Sequence, residues 1–228
     1  MKIASKAWTF FIPLAILSVI FFFLGWGIAG GGLALVALWV VWFFRDPERL
    51  PPDSPGAIVS PADGKLDTLE IVEHPGFSNG KAIKLGIFLS IFDVHVNRAC
   101  FKGRVGRIEH QSGRFLSAMN KESSRVNESN LIQLETEQGV IFIKQIAGMI
   151  ARRIVCRLKT GDEVGVGDRI GMICFGSRTE VFLPTHANIK VKPGCTVRGG
   201  STLLGVFAPE PEEAKKAANS NLALVDVE

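Results

Sequence analysis

The chain has 228 residues and carries 26 Lys+Arg against 22 Asp+Glu, a formal net charge of +4. That length holds one sizeable core, and so balanced a charge excludes the dense basic face of a nucleic-acid binder. The 24 glycines fall in no Gly-x-y or Pro-rich repeat, which excludes a fibrous chain.

Charge is unevenly placed: 24 of the Lys+Arg and all the acids lie in residues 45–228. The run Ala7 to Phe44 is uncharged for 38 residues, nearly twice the roughly 20 needed for one membrane crossing. Gly25-Trp26-Gly27 and Gly30-Gly31-Gly32 interrupt it, predicting short helices over Trp8–Leu24 and Leu33–Phe44 around a Gly-rich bend. A re-entrant hairpin and two thin spans both fit. A hairpin sets Lys2, Lys6, Arg45 and Arg49 together on the cytoplasmic side, as the positive-inside tendency favours, with Trp8, Trp39 and Trp42 near the ends. A cleaved signal peptide ending near Ala29 competes, but apolar character resumes after the glycines, which favours an anchor.

Asp46-Pro47 and Leu50–Gly56 stop any helix and form a stiff linker. The expected division is a membrane-associated helical hairpin over 1–44, a linker over 45–56, a β-rich domain over 57–208 and a fraying tail over 209–228. Within the domain, apolar runs over 57–60, 65–70, 84–90, 103–109, 131–136 and 140–145 are punctuated by turn residues about every ten positions. This predicts a mainly β fold, an antiparallel sandwich or barrel. Weak helical signal falls on Phe115–Met119 and Ile150–Val155.

A degenerate repeat follows. Lys159-Thr160-Gly161-Asp162-Glu163-Val164-Gly165-Val166-Gly167 aligns with Lys192-Pro193-Gly194-Cys195-Thr196-Val197-Arg198-Gly199-Gly200, each preceding an aliphatic strand. Read as two hairpins, the units resemble the halves of biotinyl- or lipoyl-type sandwiches, though without a Met-Lys-Met attachment site. Cys100, Cys156, Cys174 and Cys195 form no C-x-x-C pair and have no His cluster near them, so neither a zinc site nor a required disulfide is read, and free buried thiols are expected.

Three clusters hold residue types suited to chemistry: Ser60-Pro61-Ala62-Asp63-Gly64-Lys65, Phe92-Asp93-Val94-His95-Val96-Asn97-Arg98 and Phe175-Gly176-Ser177-Arg178. Each has an ordinary reading alone: a turn, a structural histidine in a polar stripe, a bulge. In order, and with Phe43-Phe44-Arg45-Asp46-Pro47 before them and Ile146-Ala147-Gly148-Met149-Ile150-Ala151-Arg152-Arg153 between the last two, they resemble phosphatidylserine decarboxylase in its short bacterial and archaeal proenzyme form. The resemblance covers all but the C-terminal extension past Phe207.

It implies a pyruvoyl enzyme formed by self-cleavage at a Gly-Ser bond, with pyruvate derived from Ser177 as the covalently bound cofactor and no metal. Gly176-Ser177 and Gly200-Ser201 are the candidates. The second aligns with the turn Gly167-Asp168 of the repeat, so the cut is assigned to Gly176-Ser177, giving fragments 1–176 and 177–228 that stay together as a heterodimer. Ser177 would carry the ketone that forms a Schiff base with the substrate amine. His95 is the expected base, with Asp63 orienting it. Longer family members have a second His where this chain has Arg98, which leaves open whether His95 serves both steps. Arg98, Arg152, Arg153 and Arg178 are candidates for the lipid phosphate. The implied partner is phosphatidylserine at the inner face of the cell membrane, with the catalytic domain in the cytoplasm; no nucleic acid is involved and higher oligomers stay open. A membrane-tethered lipoyl-like adaptor without chemistry and a phosphoryl carrier using His95 are the competing readings.

Overall fold

The computed structural model describes residues 2–117, 122–149, 153–174 and 176–208. At its start, β1 (Lys2–Ile3), α1 (Ala7–Phe23), α2 (Gly27–Phe43) and β2 (Arg45–Asp46) form a closed unit. Strands β1 and β2 pair antiparallel, Lys2 with Asp46 and Ile3 with Arg45, so both ends of the helical hairpin are tied at one place. The bend is tighter than expected: Leu24-Gly25-Trp26 makes it, with Gly25 at φ +76°, and Gly27–Gly32 belong to α2. Of these glycines, Gly30 serves packing instead. A Cβ on Gly30 would lie 3.0 Å from the Phe22 ring, and Ser18 Oγ donates to Gly30 O at 2.7 Å. Each helix has 17 residues, a rise of about 26 Å against a hydrocarbon core of about 30 Å. Among the described residues no helix is long and apolar enough to cross a membrane.

The β-rich part follows as β3 (Ala57–Val59), β4 (Gly64–Glu73), β5 (Lys81–Leu89), β6 (Val96–Arg98), β7 (Gly103–Gln111), α3 (Ser123–Val126), β8 (Ser129–Thr136) and β9 (Gly139–Ile146). It ends with β10 (Ile154–Cys156), β11 (Glu163–Val164), β12 (Arg169–Ile173), β13 (Ser177–Leu183), β14 (Asn188–Ile189), β15 (Thr196–Val197) and β16 (Leu203–Val206). Eight strands in the order β11-β7-β8-β9-β13-β5-β4-β15 form one antiparallel sheet that curls into a half-barrel. Two three-stranded sheets, β10-β12-β6 and β14-β16-β3, accompany it. The period-2 alternation puts Leu66, Leu85, Ile87, Ile132, Leu134, Ile141, Ile143, Val181 and Leu183 into one core, all at 0% exposure. Each such side chain contributes about 1.5–3 kcal/mol by leaving water.

The helical expectations fail in the domain. Ile154–Cys156 is strand β10, paired with β12, and residues 115–117 are irregular, with the helical turn at Ser123–Val126. Residues 118–119, 150–152 and the tail from 209 onward lie outside the described residues.

The sequence repeat corresponds to a repeated local structure, but not to the hairpins of a lipoyl-like sandwich. Gly161 and Gly194 both take positive φ (+94° and +98°), as do Gly167 and Gly200 (+82° and +75°). The short strand of each unit pairs outside the unit, with an edge of the large sheet: β11 with β7, β15 with β4. Backbone bonds match as well. Gly161 N donates to Val105 O and Gly194 N to Leu66 O, both at 2.7 Å. The two units close opposite edges of one sheet.

The hairpin is fastened to this body through a buried carboxylate. Asp46 accepts from Arg98 Nη2 at 3.2 Å and from Arg169 Nε at 2.6 Å, while Arg98 also donates to Gly167 O and Pro47 O. Removing one partner of such a group strands the others without water. Asp46→Ala is therefore expected to destabilise the protein by about 3 kcal/mol, read as a lower midpoint in chemical denaturation. A change below about 0.5 kcal/mol would show that the fastening carries no weight.

Candidate active site

Strand β13 is central in the large sheet and begins at Ser177, which pairs with Leu89 of β5, while its neighbour Arg178 pairs with Ile146 of β9. Alternation turns Ser177, Thr179, Val181 and Leu183 to the core face. Ser177 is wholly buried, and among the described residues its Oγ has no hydrogen-bond partner. Such an orphan hydroxyl costs about 1–3 kcal/mol. Gly176 before it has φ +61°; a Cβ there would meet only Ile91 Cγ2, at an ordinary 3.8 Å. Backbone conformation, not space, calls for glycine here.

His95 enters from the segment before β6, where Ile173 N donates to its carbonyl at 3.2 Å. The ring is 1% exposed. Its Nε2 accepts the Gly176 N–H at 3.1 Å, so the ring proton must be on Nδ1, which donates to Asp93 O at 3.0 Å. Phe43, the last residue of α2, lies against the imidazole with ring centres 4.4 Å apart and 36° between planes. Burial pushes the His95 pKa down to about 4, outweighing the upward pull of Asp93. Near neutral pH the ring is uncharged, with the lone pair of Nε2 directed at the Gly176-Ser177 segment.

Asp63 does not orient that ring. Its carboxylate pairs with Arg49 at 2.8 Å and accepts Gly199 N–H at 2.7 Å, and burial raises its pKa. The acid whose charge acts on His95 is Asp93, whose Oδ2 accepts Ser90 N–H at 2.8 Å. Because it stands two residues before the histidine, the sequence offered it openly, but only as part of a stripe.

Arg98 and Arg178 are not free for a phosphate either. Arg98 is spent on Asp46, Pro47 and Gly167, as above. Arg178, 2% exposed, grips Asp67 with both Nη atoms at 2.7 and 2.8 Å, Glu180 through Nε at 2.9 Å and Thr68 at 2.8 Å. Gly86 has no side chain because a Cβ would strike Arg178 Nη2 at 2.1 Å. Arg152 lies outside the described residues. Arg153 is exposed, and its charge, with that of Lys6, acts on Cys174 near the base of the hairpin. All four cysteines are free; Cys195 is exposed rather than buried, and Cys156 is half-buried.

Sequence reasoning missed a buried polar row beside Ser177. Asn130 Nδ2 donates to Gln145 Oε1 at 3.0 Å, Gln145 Nε2 to Asn97 Oδ1 at 2.8 Å, and Asn97 Nδ2 to Thr179 Oγ1 at 3.1 Å. Asn130, Gln145 and Thr179 are register neighbours across β8, β9 and β13. Bonded partners in this row lie 15, 48 and 82 residues apart, so no local pattern joins them. The rival Gly200-Ser201 bond lies in a turn equivalent to Gly167-Asp168: Gly200 N donates to Ser60 O, and Gly167 N to Ala99 O.

A half-barrel domain whose central strand opens on an orphan serine, reached by a neutral histidine, describes a self-contained serine–histidine site. Comparison with known proteins agrees with a processed enzyme. A family model described as phosphatidylserine decarboxylase matches residues 36–205. A protein named phosphatidylserine decarboxylase proenzyme from Symbiobacterium thermophilum is 43% identical over 204 residues, covering 89% of this chain and 94% of that one. Proteins of the same name from Desulfotalea psychrophila and a Wolbachia of Brugia malayi are 44% and 38% identical, covering 75% and 94% of this chain and 80% and 95% of theirs. The chain belongs to the phosphatidylserine decarboxylase family.

The neutral histidine has a thermodynamic signature. Between the ordinary value of 6.5 and about 4, the unfolded chain binds a proton that the folded one refuses. Stability contributed by His95 is therefore full above 6.5, falls as pH falls through that window, and levels off below about 4. The loss is on the order of 3 kcal/mol. Denaturant titrations of Ser177→Ala and of Ser177→Ala with His95→Gln should differ by this slope; equal pH dependence in both would mean that the ring is not held neutral.

Proposed function

We propose that the chain is a phosphatidylserine decarboxylase that cuts itself between Gly176 and Ser177 and converts Ser177 into a covalently bound pyruvoyl group. One observation supports this above others: a buried serine hydroxyl without a partner follows a glycine whose N–H is held by an unprotonated imidazole nitrogen. The residues present suit that group, since nothing else occupies the Ser177 hydroxyl and the acyl side is a glycine in a left-handed conformation.

In this reading His95 Nε2 exchanges the Gly176 N–H for the Ser177 hydroxyl and accepts its proton. Ser177 Oγ then bonds to the Gly176 carbonyl carbon, and an ester replaces the amide. Loss of the Ser177 Cα proton with the Gly176 carboxylate as leaving group breaks the Cβ–O bond; the resulting enamine takes up a proton at Cβ to become an imine, and water releases ammonia and leaves the ketone. Asp93, in place of Asp63, is the acid that favours the protonated ring during the transfer, while the Asp93 carbonyl keeps Nδ1–H in its tautomer. A pyruvoyl group supplies an electrophilic carbonyl for the substrate amine and a sink for the electron pair left when carbon dioxide departs.

The division into residues 1–44, 45–56, 57–208 and 209–228 suits this activity. After cleavage, fragment 177–228 stays in the sheet, because β13 pairs with β5 at seven positions and with β9 at five. The hairpin presents Phe23, Leu24, Trp26 and Ile28 at 88%, 61%, 60% and 97% exposure, a tip suited to the bilayer interface. With that tip sunk into the inner face of the cell membrane, the base of the hairpin comes to the level of the lipid phosphate, where Lys6 and Arg153 can meet it.

Freshly synthesised protein should resolve into two fragments, the smaller beginning at residue 177 with a mass that lacks the serine amine and a blocked N-terminus. Ser177→Ala should stay full length, and His95→Gln should cleave at least 100-fold more slowly. Cleavage persisting in Ser177→Ala would place the cut elsewhere, and decarboxylation by uncut protein would remove the pyruvoyl reading altogether.

A further inference from the structure

We propose that Phe43 is a positioning residue for His95, so that seating of the N-terminal hairpin on the β body is a condition for cleavage at Gly176-Ser177. The inference rests on the reading of His95 as the base for that cut and adds a part of the chain remote from it in sequence.

Four features converge on it. Phe43 is itself wholly buried, in a small apolar cluster of its own with Ala4, Ala7, Val40, Phe44, Met172 and Cys174. That cluster joins both arms of the hairpin to the end of β12, beside the cleavage segment. The Phe43 ring covers one face of the imidazole, whose two nitrogens are already fixed in the ring plane by Asp93 O and Gly176 N–H. Without that cover the ring has two in-plane bonds but nothing to exclude water from its face. Thirdly, the next turn of chain is anchored to the loop that carries His95: Arg45 Nη2 donates to Phe92 O at 2.5 Å, and its guanidinium lies 3.9 Å over the Trp42 ring. Trp42 and Phe92 meet edge to face at 6.4 Å. Finally, the ladder between β1 and β2 and the Asp46 ion pairs fix where α2 ends.

The charges around the ring are few. Asp93 on its own loop favours the protonated form, and Arg45 from β2 opposes it. From the β12 side the Cys174 thiol shares the Phe43 cluster and is kept neutral by burial, despite Arg153 and Lys6. Exposure of the ring, rather than exchange of a charged partner, is therefore what loss of Phe43 changes.

The test uses the full chain, made cell-free in the presence of phospholipid vesicles, with cleavage followed against pH. Wild-type cleavage should vary less than two-fold between pH 8 and 5.5, because the ring stays neutral across that range. In Phe43→Ala the ring regains a value near the ordinary one, so cleavage at pH 5.5 should fall about ten-fold below that at pH 8, and Phe43→Tyr should restore the flat profile. If Phe43→Ala does not fold, Phe43→Val, whose side chain is too short to reach across the imidazole face, is read in the same way. A flat profile in folded Phe43→Ala, or an equal loss at every pH, would overturn the inference. His95→Gln run alongside separates the two failures. Should it cleave normally, the base reading falls and this inference with it; should it be inert while Phe43→Ala stays flat, only the role of Phe43 falls.

Discussion

Everything at the centre of this molecule depends on keeping one imidazole dry. His95 is held by three pieces of chain that are distant in sequence: Phe43 at the end of the hairpin, Asp93 in its own loop and Gly176 before β13. The bond from Gly176 N–H is available only to an unprotonated Nε2, and burial makes that the stable form near neutrality. Ionisation, tautomer and orientation are thus set together. The same burial leaves Ser177 Oγ without a partner among the described residues, a cost that an ordinary structural serine avoids.

The interior charges follow a different rule. Arg98, Arg178 and Glu180 are as buried as His95, but each is paired: Arg98 with Asp46, Arg178 with Asp67 and Glu180, Glu180 also with Lys84 at 3.2 Å and with Ser124 Oγ at 2.7 Å. Buried ions persist only with their hydrogen bonds satisfied, and the planar guanidinium fork does this for several acceptors at once. Arg178 stands next to Ser177 in sequence but on the opposite face of β13. It fastens the strand from the far side of the sheet while the serine faces the core.

The repeated turns explain how an open, curled sheet is finished. Edge strands leave unpaired backbone groups. The units around Gly161–Gly167 and Gly194–Gly200 each supply a two-residue strand to one edge, β11 to β7 and β15 to β4. The second unit is also tied to the hairpin linker, since Asp63 holds both Arg49 and the amide of Gly199. That accounts for Asp63 and for the turn at Gly200-Ser201.

From sequence alone the helical hairpin, the antiparallel strands over 57–146 and the candidacy of His95, Gly176 and Ser177 were legible, because hydrophobic period, turn residues and short motifs are local properties of the chain. What sequence could not assign was which groups meet. Ile154–Cys156 resembled a helix until pairing with β12 made it a strand; Asp63 resembled the partner of His95 until Arg49 claimed it; Arg98 and Arg178 resembled phosphate ligands until buried acids absorbed their donors. Phe43 carried no chemical signal, being one apolar residue in a long apolar run. Contacts of this kind are settled by competition among partners brought together from afar, and that competition exists only once the chain has folded.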